Sequence, residues 1–128
     1  MKKVLVADDV PMIRQLVGFH LKQIGFEISN AADGAEALSM ANANVYDLIL
    51  LDIMMPKMDG LEVLKKVRER SANVCTPVVM MTAYTDTANI SKAIEYGATD
   101  FISKPVERIS FRKKVMDAIS LKYIGNAT

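Results

Sequence analysis

A single cysteine, Cys75, stands in the whole chain, so no internal disulfide framework can staple it, and the usage fits a reducing compartment. Charge of one sign is not in excess either. Sixteen basic side chains meet 15 acidic ones, a formal net charge of +1, which provides no field to gather nucleic acid or an anionic membrane. No apolar run approaches the roughly 20 residues needed to span a bilayer. No signal peptide opens the chain, because Asp8 and Asp9 arrive where its apolar core would have to be. Internal repeats, low-complexity tracts and domain linkers are missing too. What is left, at 128 residues, is room for one domain. Hydrophobic residues make up 51% of it and are spread along its length, as in a folded protein. The expectation is a single soluble, cytoplasmic domain with no membrane insertion and no nucleic-acid contact.

What is present is an alternation of short apolar runs with amphipathic stretches. Lys3 to Ala7 reads as a buried strand ending in Asp8-Asp9. Pro11 suits the first turn of a helix, where its missing N–H costs nothing. Ile13, Leu16, Val17, Leu21 and Ile24 then recur at helical spacing up to Gly25. Phe26 to Ala31 alternates as a second strand, and Asp33-Gly34 opens a helix carrying Ala35, Ala37, Leu38 and Ala41. Leu48 to Leu51 is an unbroken apolar run, as expected of a strand covered on both faces of a parallel sheet, and it ends at Asp52. A helix with Leu61, Leu64 and Val67 inward follows from about Asp59, which caps it. Past a polar connector, Pro77 leads into a strand from Val78 to Thr82. The next helix runs to about Tyr96, with Ile90, Ala93 and Ile94 inward and Gly97 as its stop. Asp100 to Ser103 is the fifth strand. The last helix runs from about Glu107, with Phe111, Val115, Ala118 and Ile119 on one face, and ends at Gly125-Asn126 before a frayed terminus. Five strands alternating with five helices predict an α/β domain, a doubly wound parallel sheet with helices on both faces.

In such a sheet chemistry collects beyond the carboxyl ends of the strands. Asp8-Asp9, Asp52, Thr82 and Lys104 fall at four of those ends, so they are expected to be neighbours. Three carboxylates in one small site repel one another unless a cation neutralises them. A hard divalent ion with oxygen ligands, magnesium above all, resolves the conflict. Lys104 adds a fixed positive charge, and the Thr82 hydroxyl can donate a hydrogen bond. The set suits an anion attached to Asp52, and hence phosphoryl transfer.

Asp8-Asp9, the stretch LLDIMMPKMDG, Met81-Thr82-Ala83 and Ser103-Lys104-Pro105, in this order and spacing, resemble the receiver domain of two-component response regulators. The likeness is greatest to single-domain receivers of the chemotaxis type. It implies a flavodoxin-like fold with strand order 2-1-3-4-5, a receiver domain over residues 1–121 and a tail over 122–128. It implies that Asp52 accepts a phosphoryl group from a histidine kinase or histidine phosphotransfer protein. Asp9, Asp52 and the Met54 backbone carbonyl would ligate Mg2+, with Asp8 acting through a water; Mn2+ can substitute. Lys104 would pair with a phosphoryl oxygen and Thr82 would bond another, while Phe101 rotates inward behind it. The Lys104-Pro105 bond would be cis and aim the lysine. Met54, Ala83 and Tyr84 would tune the lifetime of the phosphoryl group, the bulk of Met54 and Tyr84 slowing its hydrolysis. No dedicated turnover is implied beyond this self-catalysed transfer and slow loss.

The output surface implied is the fourth helix, fifth strand and fifth helix, near Ile90, Val106 and Lys114. The input surface is the first helix, around Pro11, Met12 and Gln15. With no output domain following, the signal is expected to leave through a protein partner or a further phosphotransfer. The chain is expected to stand alone as a monomer, with a phosphorylation-dependent dimer and excision from a longer regulator as the alternatives. The rival functional reading is a docking module that works without phosphorylation. A haloacid-dehalogenase-type phosphatase would need an acid two residues after the nucleophile, where Met54 stands. A flavodoxin-like cofactor carrier would need a Ser/Thr/Gly-rich loop where Asp8-Asp9-Val10-Pro11 stands. His20, in the stripe of the first helix, reads as structural, Cys75 as an ordinary loop thiol, and Met54, Met55, Met58, Met80 and Met81 as core filling.

Overall fold

The computed structural model describes residues 1–83 and 86–127, the last seven of these by backbone alone. Strands β1 (Lys2–Ala7), β2 (Phe26–Ala31), β3 (Leu48–Asp52), β4 (Val78–Thr82) and β5 (Asp100–Ser103) alternate with helices α1 (Pro11–Gln23), α2 (Gly34–Ala43), α3 (Gly60–Arg70), α4 (Thr87–Glu95) and α5 (Arg108–Ala127). The strands pair in parallel in the order β2-β1-β3-β4-β5. This is the doubly wound arrangement expected from the alternation.

The period-2 geometry of a strand explains the unbroken apolar run of β3. Leu48 and Leu50 join Val4, Val6, Val79, Met81, Val17, Leu21, Phe111 and Val115 on the side of α1 and α5. Ile49 and Leu51 join Leu5, Val78, Met80, Ala37, Val63, Leu64 and Ala93 on the side of α2, α3 and α4. Every residue of β3 and β4 is buried. Each such aliphatic side chain is worth roughly 1.5–3 kcal/mol relative to exposure. A slip of one residue would exchange the two faces, so the register is fixed by packing on both sides. The helix starts are fixed locally. Asp33 and Asp59 cap α2 and α3, accepting from the N–H groups of Glu36 at 2.8 Å and Glu62 at 2.9 Å. Gly25 and Gly97 take φ of +92° and +99° just past α1 and α4, conformations that side chains disfavour.

Three residues assigned to the interior face solvent instead. Leu16 is 39% exposed, Ile94 62% and Met54 68%. Leu16 and Ile94 lie at the edges of their helical stripes, where 3.6-residue periodicity no longer separates core from rim. Met54 has left the strand and belongs to the loop. Helix α5 also continues past Gly125-Asn126 to Ala127; a glycine inside a helix costs only about 1 kcal/mol and does not stop it alone. His20 is buried, with its ring against Phe19 and Phe111, and Cys75 is exposed in the connector before β4.

That connector is held by a residue the hydrophobic pattern did not mark. Asn73 is fully buried. Its amide donates to the carbonyls of Ala41 and Asn44, both at 2.7 Å. Its carbonyl accepts from the Tyr46 N–H at 2.7 Å and the Thr76 hydroxyl at 3.0 Å. One side chain thereby ties the ends of α2 and α3 to the entries of β3 and β4. An Asn73→Leu substitution strands the Ala41 carbonyl, the part-buried Asn44 carbonyl and the Tyr46 N–H, while the Thr76 hydroxyl keeps its 3.1 Å bond to the Tyr46 carbonyl. Each orphaned group costs about 1–3 kcal/mol, so the variant is expected to lose at least about 3 kcal/mol in urea unfolding. A loss below 1 kcal/mol would show that water or a shifted loop replaces these bonds.

Candidate functional site

Parallel pairing delivers the ends of β1, β3, β4 and β5 to one rim of the sheet, and the polar residues there meet. Asp8 follows β1 and is completely buried. Its carboxylate accepts from the Val10 N–H at 2.9 Å and from Lys104 Nζ at 2.9 Å. Asp52, at the end of β3, is 6% exposed and lies 3.0 Å from the same Lys104 Nζ. Asp9 is exposed. Carboxylate oxygens of Asp8, Asp9 and Asp52 lie within 4.8 Å of one another. One ammonium therefore bridges two carboxylates contributed from residues 96 and 52 positions away in sequence.

The electrostatics follow from that crowding. Burial pushes the Asp52 carboxyl above the usual aspartate range, and the Asp8 charge pushes it further. Lys104 and the Met54 backbone N–H pull the other way without cancelling these effects. For Lys104, burial acts to depress the ammonium, but hydrogen bonds and charges from Asp8 and Asp52 win and hold it above its ordinary value. Three carboxylates against one ammonium leave two negative charges uncompensated when all are ionised. An all-oxygen donor set with that deficit fits a hard divalent cation such as Mg2+.

The loops that carry these groups are shaped by close backbone approach. Met58 N–H donates to the Pro56 carbonyl at 2.8 Å with Lys57 between them at φ +69°, a three-residue γ-turn. Gly60 N–H donates to the Ile53 carbonyl at 2.8 Å. A Cβ at Gly60 would stand 2.1 Å from the Asp52 carbonyl oxygen, so only glycine lets α3 begin this close to the acidic strand end.

Thr82 is 8% exposed at the end of β4, and its hydroxyl donates a long, weak hydrogen bond of 3.4 Å to the Ala83 carbonyl. Ala83 is exposed. The Lys104–Pro105 peptide is cis. Phe101, half-buried on β5, lines a cavity of about 440 Å3 with Thr82, Ile90, Lys104 and Lys114. Lys114 is tied to Asp100 at 2.9 Å, and Val106 packs against the α1–α5 side of the core. Met54 lies beside Asp52 with its side chain in solvent. Tyr84 lies outside the described residues. Pro11, Met12 and Gln15 are exposed at the start of α1. Pattern reading did not single out Arg14, whose guanidinium donates to the Asp8 carbonyl at 2.5 Å and stiffens the β1–α1 turn. A basic residue one turn into the helix was its only mark.

Known proteins match this chain widely. The response regulator receiver domain family matches residues 4–116. The transcriptional regulatory protein ResD of Bacillus subtilis is 43% identical over 103 residues, which is 80% of this chain and 42% of that protein. The chain thus spans about two-fifths of the length of the curated relatives it matches. Among solved structures, the chemotaxis response regulator CheY4 of Vibrio cholerae superposes with a TM-score of 0.86 at 37% identity, over 92% of this chain and 98% of that one. A CheY-like receiver domain protein from Methanospirillum hungatei gives a TM-score of 0.91 at 26% identity, over 98% of each chain.

The raised Asp52 has a consequence for stability whose sign is fixed. A carboxyl with a higher pKa folded than unfolded helps the folded state below its unfolded pKa and loses that help as pH rises through the folded value. At pH 7 without divalent cations, ionised Asp52 therefore costs stability. Asp52→Asn is expected to melt a few degrees higher than wild type at pH 7 in EDTA. The gap should narrow as pH falls through the raised folded-state value of Asp52. A lower Tm for the variant at pH 7 would mean that Lys104 stabilises the ionised carboxylate more than burial and Asp8 oppose it.

Proposed function

Since this chain belongs to the response regulator receiver domain family, we propose that it is a signalling switch controlled by phosphorylation of Asp52. The observation that carries this reading is the Lys104 ammonium held between Asp8 and Asp52, with Thr82 and Lys104 lining one cavity. An aspartyl phosphate needs a carboxylate nucleophile, cations to receive the phosphoryl oxygens, and a nearby donor. All three groups stand at one rim.

In the proposed step an Asp52 carboxylate oxygen attacks the phosphorus of a phosphohistidine on a histidine kinase or phosphotransfer protein. The phosphorus–nitrogen bond breaks as the oxygen–phosphorus bond forms, and the imidazole leaves with the electron pair. Asp9, Asp52 and the Met54 backbone carbonyl would hold Mg2+, with Asp8 binding through a water. The ion supplies neutralisation of charge on the transferring group. Lys104 then exchanges its Asp52 contact for a phosphoryl oxygen while keeping Asp8. Thr82, whose present hydrogen bond is weak, turns its hydroxyl to another oxygen.

Phosphorylation replaces the single carboxylate charge of Asp52 by roughly two on the acyl phosphate at neutral pH. The withdrawal of Thr82 vacates space into which Phe101 can turn from its cavity. Helix α4 is suited to respond, because it buries only Ala93. The α4–β5–α5 face, with Ile90, Val106 and Lys114, is then the output surface, open to a separate protein, a second copy or a further domain. Docking of the phosphodonor falls to the exposed start of α1, beside Asp9. Met54 and Tyr84 would cover the acyl phosphate and slow its hydrolysis.

Incubation with Mg2+ and acetyl phosphate, followed by intact mass, is expected to add one phosphoryl group to wild type and none to Asp52→Ala. No gain in wild type would leave a phosphorylation-independent docking module as the better reading. In the same preparation freed of donor, a Met54→Asn, Tyr84→Glu variant should dephosphorylate faster; equal decay would remove the shielding role.

A further inference from the structure

Between α1 and the edge strand β2 a cavity of about 540 Å3 opens, which at its upper end takes in Pro11 and Gln15 of the exposed start of α1. Its floor is Gly18 and Ile28, with Phe19, 58% exposed, on its lip. Lys22 and Arg14, the latter keeping one donor on the Asp8 carbonyl, stand along it, and no carboxylate of the described residues lines it. Gly18 is unexpected there. It sits in mid-helix, where glycine costs about 1 kcal/mol against alanine. Nothing forces it: a Cβ would meet only the Ile28 Cδ1 at 3.5 Å, an ordinary contact. The missing side chain keeps the groove open.

The groove runs beside an edge of the sheet, since among the described residues β2 pairs only with β1. The Ala31 carbonyl accepts from the Asp8 N–H at 3.1 Å, so it faces β1. Backbone groups alternate sides along a parallel strand, which turns those of Ile28 and Asn30 outward. Both residues also line the cavity. Glu27, of opposite parity, belongs to the other face of the sheet.

We propose that this groove receives an extended acidic segment of a partner protein, which adds to β2 as a sixth strand. Backbone pairing with Ile28 and Asn30 would provide the affinity, and the cations would select the sequence. The spacing fits. Arg14 and Lys22 are eight residues apart, about 12 Å along a helix. Carboxylates four residues apart on a strand are about 13 Å apart. The side chain midway between them lies over Gly18 and Phe19, where an apolar residue fits.

The test uses the whole chain labelled with 15N and a blocked octapeptide with glutamate, valine and glutamate at its second, fourth and sixth positions. Saturable shifts centred on Gly18, Ile28 and Asn30, with slowed amide exchange at Ile28 and Asn30, are expected. Replacing both glutamates by lysine should abolish binding. Lys22→Glu should weaken it on the order of tenfold. Gly18→Leu, which favours the helix, should block it while the protein stays folded. Equal binding of the lysine peptide, equal binding to Gly18→Leu or Lys22→Glu, shifts centred elsewhere, or no binding at all would overturn the proposal.

Discussion

Everything at the acidic rim depends on carboxylates being held closer together than they would choose. Asp8 is fully buried and Asp52 nearly so, with Asp9 beside them. A parallel sheet forces this, because it brings all its strands to their ends at the same edge. The Lys104 ammonium, at 2.9 Å from Asp8 and 3.0 Å from Asp52, offsets part of the repulsion. The remainder is an affinity for positive charge. That same deficit suits a divalent cation, which in the proposed function would make room for a phosphoryl group. On that reading site and switch share one electrostatic cause.

The rest of the fold divides between parts that cannot give way and a part that can. Strands β3 and β4 are buried at every residue and packed from both faces, so Asp52 and Thr82 rest on a rigid base. Asn73 locks the connections at the opposite edge, and the caps at Asp33 and Asp59 fix the helix starts on the rim's own side. Helix α4 contrasts with these. It buries a single alanine and borders the cavity that holds Phe101. A charge change at Asp52 therefore finds a stiff frame on one side and a loosely seated helix on the other.

Much of this was legible in the order of residues. The apolar runs, the acids that end them and the helical periodicities are local signals, and topology rules turn them into one rim. The convergence of Lys104 on Asp8 followed from that logic without any contact being visible. Asn73 was not legible, because its importance comes from three backbone partners distant in sequence. Met54 was misplaced because apolar character does not say whether a loop residue turns inward. Ile94 and Leu16 failed for a related reason, at the margins of stripes whose width depends on neighbours. The open groove beside Gly18 was likewise invisible, since a helix glycine signals nothing until the space around it is known.

The most direct test of the account is a magnesium titration at constant ionic strength, followed through the backbone amides. A saturable response in the low millimolar range is predicted for residues 8–10 and 52–54, weakened severalfold in Asp9→Asn. The Lys104 side-chain signal should shift with it, as one of its two carboxylate partners turns toward the ion. Absence of saturation, or an unchanged response in Asp9→Asn, would show that the crowded acids settle their repulsion without a cation and would contradict the account.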